Sequence, residues 1–580
     1  MSKLIIDQKT ISELFSDKKA DFLIPDYQRP YAWKEPECQT LWEDIFTFAF
    51  PDNDYSKFSS ENDEYFLGPI VTFKNNDNKM EIIDGQQRLT TLMLLLRAFY
   101  ERFGNMQDEN SKKTRENLEK CIWKTDEFGT PDKLKLKINS EVATDKDKDE
   151  FLKILKFGAA EEDMKSKYAG NYKFFQTKID EFLQKFPSFF SYLPTRILNN
   201  CILLPIEAES QDAALRIFST LNDRGKPLSD ADIFKAQFYK YYSKKGEKDS
   251  FIKRWKELEE KVNKIFHPIT GTPMDELFTR YMYFERACMK IKSSTTESLR
   301  KFYEKDDYSL LKKDDTFENL NQLADFWNDV AIQSSERFSD NVLRRLFVLN
   351  YAPNGMWNYF VSVYFMKNKD KNGLLDDSMF CSFLSKITAF IWAYAVVNPG
   401  VNALRTPVYA EMVNIVEGRN VDFSDFKFES EFVKAKLNNY EFTNGRPITK
   451  SMLTWWAFND EAQQLLSVET NFEIEHIFSR NRQENEKILS SSKKLESLGN
   501  KALLEKKINI RASDYRFADK AKYYSGYKNA KDQYKEGTKI YELLSLAKSK
   551  NDFTEKDIDN RYDSIISSFI SFLRKNNLLK

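Results

Sequence analysis

Glycine is scarce in this chain, 17 residues in 580, while apolar residues recur at steps of three and four along most of its length. These two features constrain the fold most. A backbone with few left-handed positions and an apolar period near 3.6 is predominantly helical. At 68.4 kDa the chain exceeds what one hydrophobic core holds, so several domains are expected. Its 41% apolar and 31% charged residues supply enough apolar surface to fold, which argues against disorder. Neither an internal repeat nor a long low-complexity segment is present, which disfavours solenoids and propellers.

Several function classes recede on composition. The longest strongly apolar run, Ile387 to Val397, is shorter than the roughly 20 residues of a membrane-spanning helix. The N-terminus, MSKLIIDQKTISELF, carries acidic and polar residues where a signal peptide has a continuous apolar core. A cytoplasmic protein that engages no membrane is expected. Five cysteines are spread without the spacing of a zinc site or a disulfide scaffold, and read as reduced bystanders. Lys plus Arg and Asp plus Glu balance at 89 each, so nucleic-acid binding must come from a local patch.

Against this helical background three polar motifs stand out in the first half: IPDYQRPYAW (Ile24 to Trp33), IIDGQQRLTTL (Ile82 to Leu92) and LNDRGKPLSDADIFK (Leu221 to Lys235). Each joins arginine to a turn. In the second, Met80 to Ile83 suit a short strand and Gly85 a turn, while Leu89, Leu92, Met93 and Leu96 form one helical face. The start of that helix offers free N–H groups and a positive dipole end, with Arg88 in its first turn, a seat for phosphate. Taken singly, the motif reads more readily as an Asp84 N-cap beside a surface cation. Three such motifs together shift the balance, because Arg29, Arg88 and Arg224 would converge on a polyphosphate while Tyr31 or Trp33 stacks on a base of nucleic acid. In the third motif, Ser229 caps a new helix with Asp232 three residues on.

In order and in wording these motifs resemble the N-terminal domain of GmrSD-type modification-dependent restriction enzymes, domain of unknown function 262, over roughly residues 1 to 245. The resemblance implies a ParB-like fold that handles a nucleoside triphosphate (GTP, UTP, CTP or ATP). It also implies Asp84, Gln87 and Arg88 as nucleotide-site residues, supported by Arg29, Asn222, Arg224 and Lys235. No GxxxxGK[ST] phosphate loop is present, so a P-loop ATPase is not the template.

Only two histidines occur, His267 and His476. His267 precedes a proline without acidic or amide companions and reads as a turn residue. His476 lies in FEIEHIFSR, where Phe472, Ile474 and His476 alternate on one strand face and Glu473 and Glu475 on the other. Alone, such a histidine is more often a core residue. Downstream, however, LGNKALLEKKIN supplies Asn500 and Asn509. Acid–His, Asn, Asn is the signature order of His-Me finger (HNH) nucleases. EHIFSR and LGNKALL resemble the EHIxPQ and LGNLTLL of the C-terminal nuclease domain of the same enzymes, domain of unknown function 1524, with Ser479 standing where that family generally has proline.

That resemblance implies a ββα-metal fold with His476 as general base, Asn500 as an organiser of the loop or the histidine, and Glu475 and Asn509 as ligands of Mg²⁺ or Mn²⁺. Oxygen ligands suit such hard ions. Strand alternation puts Glu475 and His476 on opposite faces, so a shared site requires a strand end, a twist or a phosphate between them. The basic stretch from Lys493 to Lys528, with Lys506, Lys507 and Arg511 interleaved with Tyr515, Tyr523 and Tyr524, fits a phosphate-tracking surface or, equally, solvated helix faces.

The expected architecture is α+β and mostly helical: a ParB-like sensor domain over 1–245, a helical middle domain over 246–440 and an HNH-like nuclease domain over 441–580. The expected function is a nucleotide-regulated, metal-dependent endonuclease of anti-phage defence. It would cut double-stranded, modified phage DNA, for instance DNA with glucosylated hydroxymethylcytosine, and a homodimer is compatible with this. Two alternatives stay open: a phosphorothioate-sensing nuclease of the same layout, and a nucleotide-dependent DNA-binding protein that does not cut.

Overall fold

The computed structural model describes residues 5–580 apart from 62, 105, 143–144, 159–164, 187–188, 212, 215–216, 218–228, 294 and 401–402. Helices dominate. The strands, in chain order, are β1 (Ile5–Ile6), β2 (Lys9–Thr10), β3 (Phe22–Ile24), β4 (Tyr65–Lys74), β5 (Met80–Asp84), β6 (Trp123–Thr125), β7 (Pro131–Leu136), β8 (Ile138–Ser140), β9 (Cys201–Ala208), β10 (Phe472–His476), β11 (Lys501–Glu505), β12 (Tyr527–Lys528) and β13 (Tyr534–Lys535). The chain divides into two compact units, Met1–Lys256 and Glu257–Lys580, so the stretches 257–440 and 441–580 belong to one unit.

The first unit is organised by a mixed seven-stranded sheet in the order β1-β9-β4-β5-β3-β8, with β2 also pairing β9. At its centre β4 runs parallel to β9 and antiparallel to β5, and β3 is parallel to both β5 and β8. The long β4 is rich in apolar and β-branched residues, which suit a strand covered on both faces. Directly after β5, Gly85 takes φ +92, a left-handed conformation that glycine adopts without steric cost, and the helix Gln86–Phe103 begins. That helix is buried on nearly every side, from Leu89 to Phe103, as a helix with apolar residues all round must be. Leu94 and Leu95, outside the expected face, are as fully buried as Leu92 and Leu96.

The second unit is an aromatic-rich helical assembly. Phe326 stacks on Phe365 at 4.3 Å and Phe390 on Phe423 at 3.6 Å between ring centroids. The apolar run noted in the sequence lies in the helix Asp377–Val397, which by length and composition alone would suit a membrane span. Inside the unit its rings pack instead on protein partners, Phe383 on Tyr364 and Phe390 on Phe423. Within this unit β10 and β11 pair antiparallel with His476 opposite Lys501, and the helix Lys506–Ala512 follows β11 without a break. The local order is strand, strand, helix. His267 sits exposed just beyond the end of the helix Lys248–Ile265, as a turn residue.

Candidate functional site

The first two N-terminal motifs meet on β5, and the helix that the end of the third motif opens packs there too. From the first, Gln28 donates through Nε2 to the carbonyls of Ile82 (3.3 Å) and Ile83 (3.2 Å), and the Tyr27 hydroxyl donates to Glu81 at 3.1 Å. The helix of the third, Asp230–Lys244, is capped by Ser229 and Asp232 as expected, and its Ala236 packs with Val71, Phe73 and Ile83 on β4 and β5. Asp26 accepts from Tyr239 on that helix at 3.2 Å and pairs with Lys248 at 2.8 Å. The interior strands β4 and β5 therefore bring together segments that lie more than a hundred residues apart.

At the turn itself, the Asp84 carboxyl is pushed up by burial and drawn back by the Gly85 N–H and by the guanidinium groups of Arg88 and Arg29. Arg88 donates to the Pro69 carbonyl at 3.0 Å, and its guanidinium lies where a Cβ on Gly68 would come within 3.0 Å. Gly68, at φ +115, thus leaves the space that the arginine fills. Arg29 Nε is buried with no hydrogen-bond partner among the described residues. Gln87 is a clamp: its Oε1 accepts from the Ala32 N–H at 2.6 Å and its Nε2 donates to the Pro30 carbonyl at 3.2 Å.

Other residues read as nucleotide or base contacts are placed differently. Tyr31 is a core side chain, stacked on Tyr168 and hydrogen-bonded to Thr91 and Asn171, so its ring has no free face for a base. Trp33 is half-buried and packs against the same core. Lys235 is buried with its ammonium 6.0 Å above the Trp255 ring. Asn222 and Arg224 lie outside the described residues.

In the second unit, His476 closes β10 with its side chain 11% exposed. Its Nε2 faces Glu496 Oε1 at 3.6 Å and Arg480 Nη2 at 3.4 Å, and Arg480 donates to Glu496 at 2.8 Å. Lys501, opposite His476 on β11, is fully buried and donates to Glu496 Oε2 and to the Phe442 carbonyl, each at 2.5 Å. Burial, then the nearby Arg480 and Lys501 cations, lower the imidazole pKa to about 4, with Glu496 opposing. The ring is therefore neutral near pH 7.

Asn500 holds the chain just past the histidine. Its Oδ1 accepts from the Phe478 N–H at 2.7 Å, and its Nδ2 donates to the carbonyls of Phe478 and Leu495, both at 3.1 Å. Gly499 beside it admits no side chain, since a Cβ there would lie 1.9 Å from the Ile558 carbonyl oxygen. Ser479 is the N-cap of the helix Arg480–Glu486, accepting from the Arg482 N–H at 3.0 Å. The Asp514 carboxylate accepts from the Arg480 and Asn481 N–H groups at 2.9 and 2.7 Å. A capping hydroxyl thus starts the helix at the position where proline was expected.

The acid beside the histidine is engaged elsewhere. Glu475 and His476 keep the opposite faces that strand alternation demands. Glu475 is buried, and its Oε1 accepts from Tyr524 at 2.6 Å and from Lys520 at 2.8 Å. Asn509, on the helix after β11, donates instead to Glu473 at 2.9 Å. A hard divalent ion needs several oxygen ligands and room for water, whereas Glu475 is buried and its Oε1 already paired. Glu475 so placed does not fit the expected Mg²⁺ or Mn²⁺. Among the described residues no group of three or more His, Cys, Asp or Glu side chains converges as metal ligands.

Of the expected DNA contacts, Lys507 is exposed, Lys506 lies 3.7 Å from Glu473, and Arg511 donates to the carbonyls of Lys507 and Glu536. Tyr515 and Tyr523 stack at the surface, whereas Tyr524 and Lys520 belong to the interior, because the helix Phe517–Ser525 turns that face onto β10. Residues that the sequence reading did not single out complete the site: Arg480, Glu496, Lys501 and Arg561, while Lys520, expected on a phosphate-tracking surface, is buried against Glu475 instead. Arg561 donates to the carbonyls of Leu498 (2.7 Å), Gly499 (3.2 Å) and Lys501 (2.6 Å) and ion-pairs with Glu542. Nothing local to Arg561 marks it, since its carbonyl partners lie 60 to 63 residues away in sequence and Glu542 19.

A strand-ending histidine, a clamping asparagine and an adjoining cluster of cations thus lie together at the end of β10, and comparison with known families gives the class of protein. The sequence model of the GmrSD restriction endonuclease N-terminal domain matches residues 11–239, and that of the C-terminal domain of GmrSD restriction endonucleases matches residues 422–568. Together these cover well over half of the chain. The chain belongs to the GmrSD restriction endonuclease family, a DNA endonuclease of defence type. A search of curated proteins finds no match.

Proposed function

We propose that this endonuclease cuts modified invading DNA under the control of a nucleoside triphosphate, with His476 as the base of an HNH-like ββα unit and the β5 turn of a ParB-like sensor unit as the nucleotide seat. The observation that carries the nuclease assignment is a neutral imidazole at a strand end with a guanidinium 3.4 Å from its Nε2. A neutral ring accepts a proton from water as the water oxygen forms its bond to phosphorus and the leaving oxygen departs. Arg480, half exposed, offers donors to the non-bridging phosphate oxygens. Glu496, 3.6 Å from Nε2, stabilises the imidazolium once it forms.

The nucleotide assignment rests on Asp84 and Arg88 at the turn that opens the helix Gln86–Phe103, with Arg29 near enough to act on Asp84, and on the buried Nε of Arg29, which has no hydrogen-bond partner among the described residues. A phosphate accepting from that donor removes a desolvation cost the protein otherwise carries. Regulation follows if nucleotide binds two conformations with different affinity and only one cuts.

The test is cleavage of modified and unmodified phage DNA, with Mg²⁺ or Mn²⁺ present, across the four ribonucleotides. His476→Ala is expected to abolish cutting while leaving nucleotide binding intact. Arg88→Ala is expected to cut without responding to nucleotide. Undiminished cutting by His476→Ala refutes the nuclease assignment. A retained nucleotide response in Arg88→Ala refutes the sensor site, and equal cutting of the two DNAs refutes the specificity.

A further inference from the structure

We propose that Lys520 is the resident cation of the ββα unit: its ammonium occupies the position between the Glu475 carboxylate and the His476 main-chain carbonyl that a divalent ion held by Glu475 would require. Nζ lies 2.8 Å from Glu475 Oε1 and 2.5 Å from the His476 carbonyl oxygen. The two side chains are 1% and 5% exposed, so the pair is sealed from water. Tyr524, fully buried, donates to the same carboxylate oxygen at 2.6 Å.

The donor chemistry is that of an occupied site. An ammonium is a compact point charge with three donors and no acceptor, and two of its donors are accounted for by these contacts. Oε1 already accepts two hydrogen bonds, leaving little for a metal ion to displace without breaking a buried ion pair. Asn509, the second expected ligand, donates through Nδ2 to Glu473, two residues back along β10, and not to Glu475. A dication seated on Glu475 would also face an ammonium within van der Waals reach, with no water between them to screen the repulsion.

Lys520 is also a positioning residue. By gripping the main-chain carbonyl of His476 from the helix Phe517–Ser525, it fixes the strand end from which the imidazole projects toward Glu496 and Arg480. The charge that holds this centre together is thus built into the chain rather than recruited through the acid beside the histidine.

The inference does not depend on whether the chain cuts DNA, because it is read by metal binding and unfolding of the full-length protein. Mn²⁺ binding followed by electron paramagnetic resonance is expected to change less than about twofold in Glu475→Gln. In Lys520→Ala, which uncovers the carboxylate, Mn²⁺ is expected to bind at least about tenfold more tightly, and the gain is expected to vanish in Glu475→Gln/Lys520→Ala. A tenfold loss of Mn²⁺ affinity in Glu475→Gln, or no gain in a folded Lys520→Ala, overturns the proposal. Should Lys520→Ala not fold, the unfolding midpoint decides. Glu475→Gln/Lys520→Met, which removes both charges at similar volume, is expected to recover most of the midpoint lost in Lys520→Met, and failure to recover it refutes the pairing.

Discussion

Individual residues at the centre of the second unit are constrained by a few ångströms. Gly499 is one: with the Ile558 carbonyl 1.9 Å from the place of its missing Cβ, Gly499→Ala forces the C-terminal helix Glu555–Lys575 away. Overpacking of this kind costs roughly 1–3 kcal/mol or more, and the urea midpoint of the full chain should fall accordingly. His476 is another. Its pKa is about 4 in the folded chain against an ordinary 6.5, so the unfolded chain takes up a proton that the folded one refuses. Stability is therefore whole above about 6.5 and declines as pH falls toward 4, the reverse of a histidine that gains an acidic partner. Titration by NMR is simple with only two histidines. The His476 signal should titrate near pH 4, below an ordinary imidazole, and the acid limb of cleavage should follow it.

At the scale of elements, turns and caps carry the site. The β5–Gly85–helix turn holds three charged groups in register because Gln87 bolts the 30–32 segment across it. Gln87→Ala removes two part-buried hydrogen bonds, a loss of roughly 1 kcal/mol each, and weaker nucleotide binding in calorimetry should accompany it. Gln87→Glu, which keeps the acceptor for Ala32, should lose less. The strand–turn–helix at Gly85, the Ser229 cap and the strand through His476 were all legible from local patterns of punctuation and alternation. The burial of Glu475 was not. Alternation predicts which side chains share a face but not what covers that face, and here the helix Phe517–Ser525 brings Lys520 and Tyr524 from more than forty residues downstream. The same holds for Tyr31. Its aromatic, arginine-adjacent context suited a stacking platform, yet Tyr168 and Asn171 enclose it.

Across the whole molecule the charges balance, so DNA affinity must arise from a local patch. Lys507 is exposed on the helix that follows β11. Lys507→Ala is expected to weaken DNA binding evenly across sequences and to reduce the slope of log affinity against log salt by about 0.9, as read by fluorescence anisotropy at several ionic strengths. An unchanged slope would remove Lys507 from the interface. What the sequence by itself determined was whatever nearest neighbours decide: helical dominance, from spacing and scarce glycine; the strand–turn–helix at Gly85; and the short motifs that resemble those of GmrSD endonucleases. Tertiary structure alone decided which charges meet. It set Glu496, Arg480 and Lys501 around His476, gave Lys520 to Glu475, and passed Arg561 under the Leu498–Lys501 carbonyls. Most of these pairings join residues about twenty or more positions apart, Arg480 with His476 and Lys501 with Glu496 being the local ones, and desolvation and Coulomb attraction act through the distances that folding creates rather than along the chain.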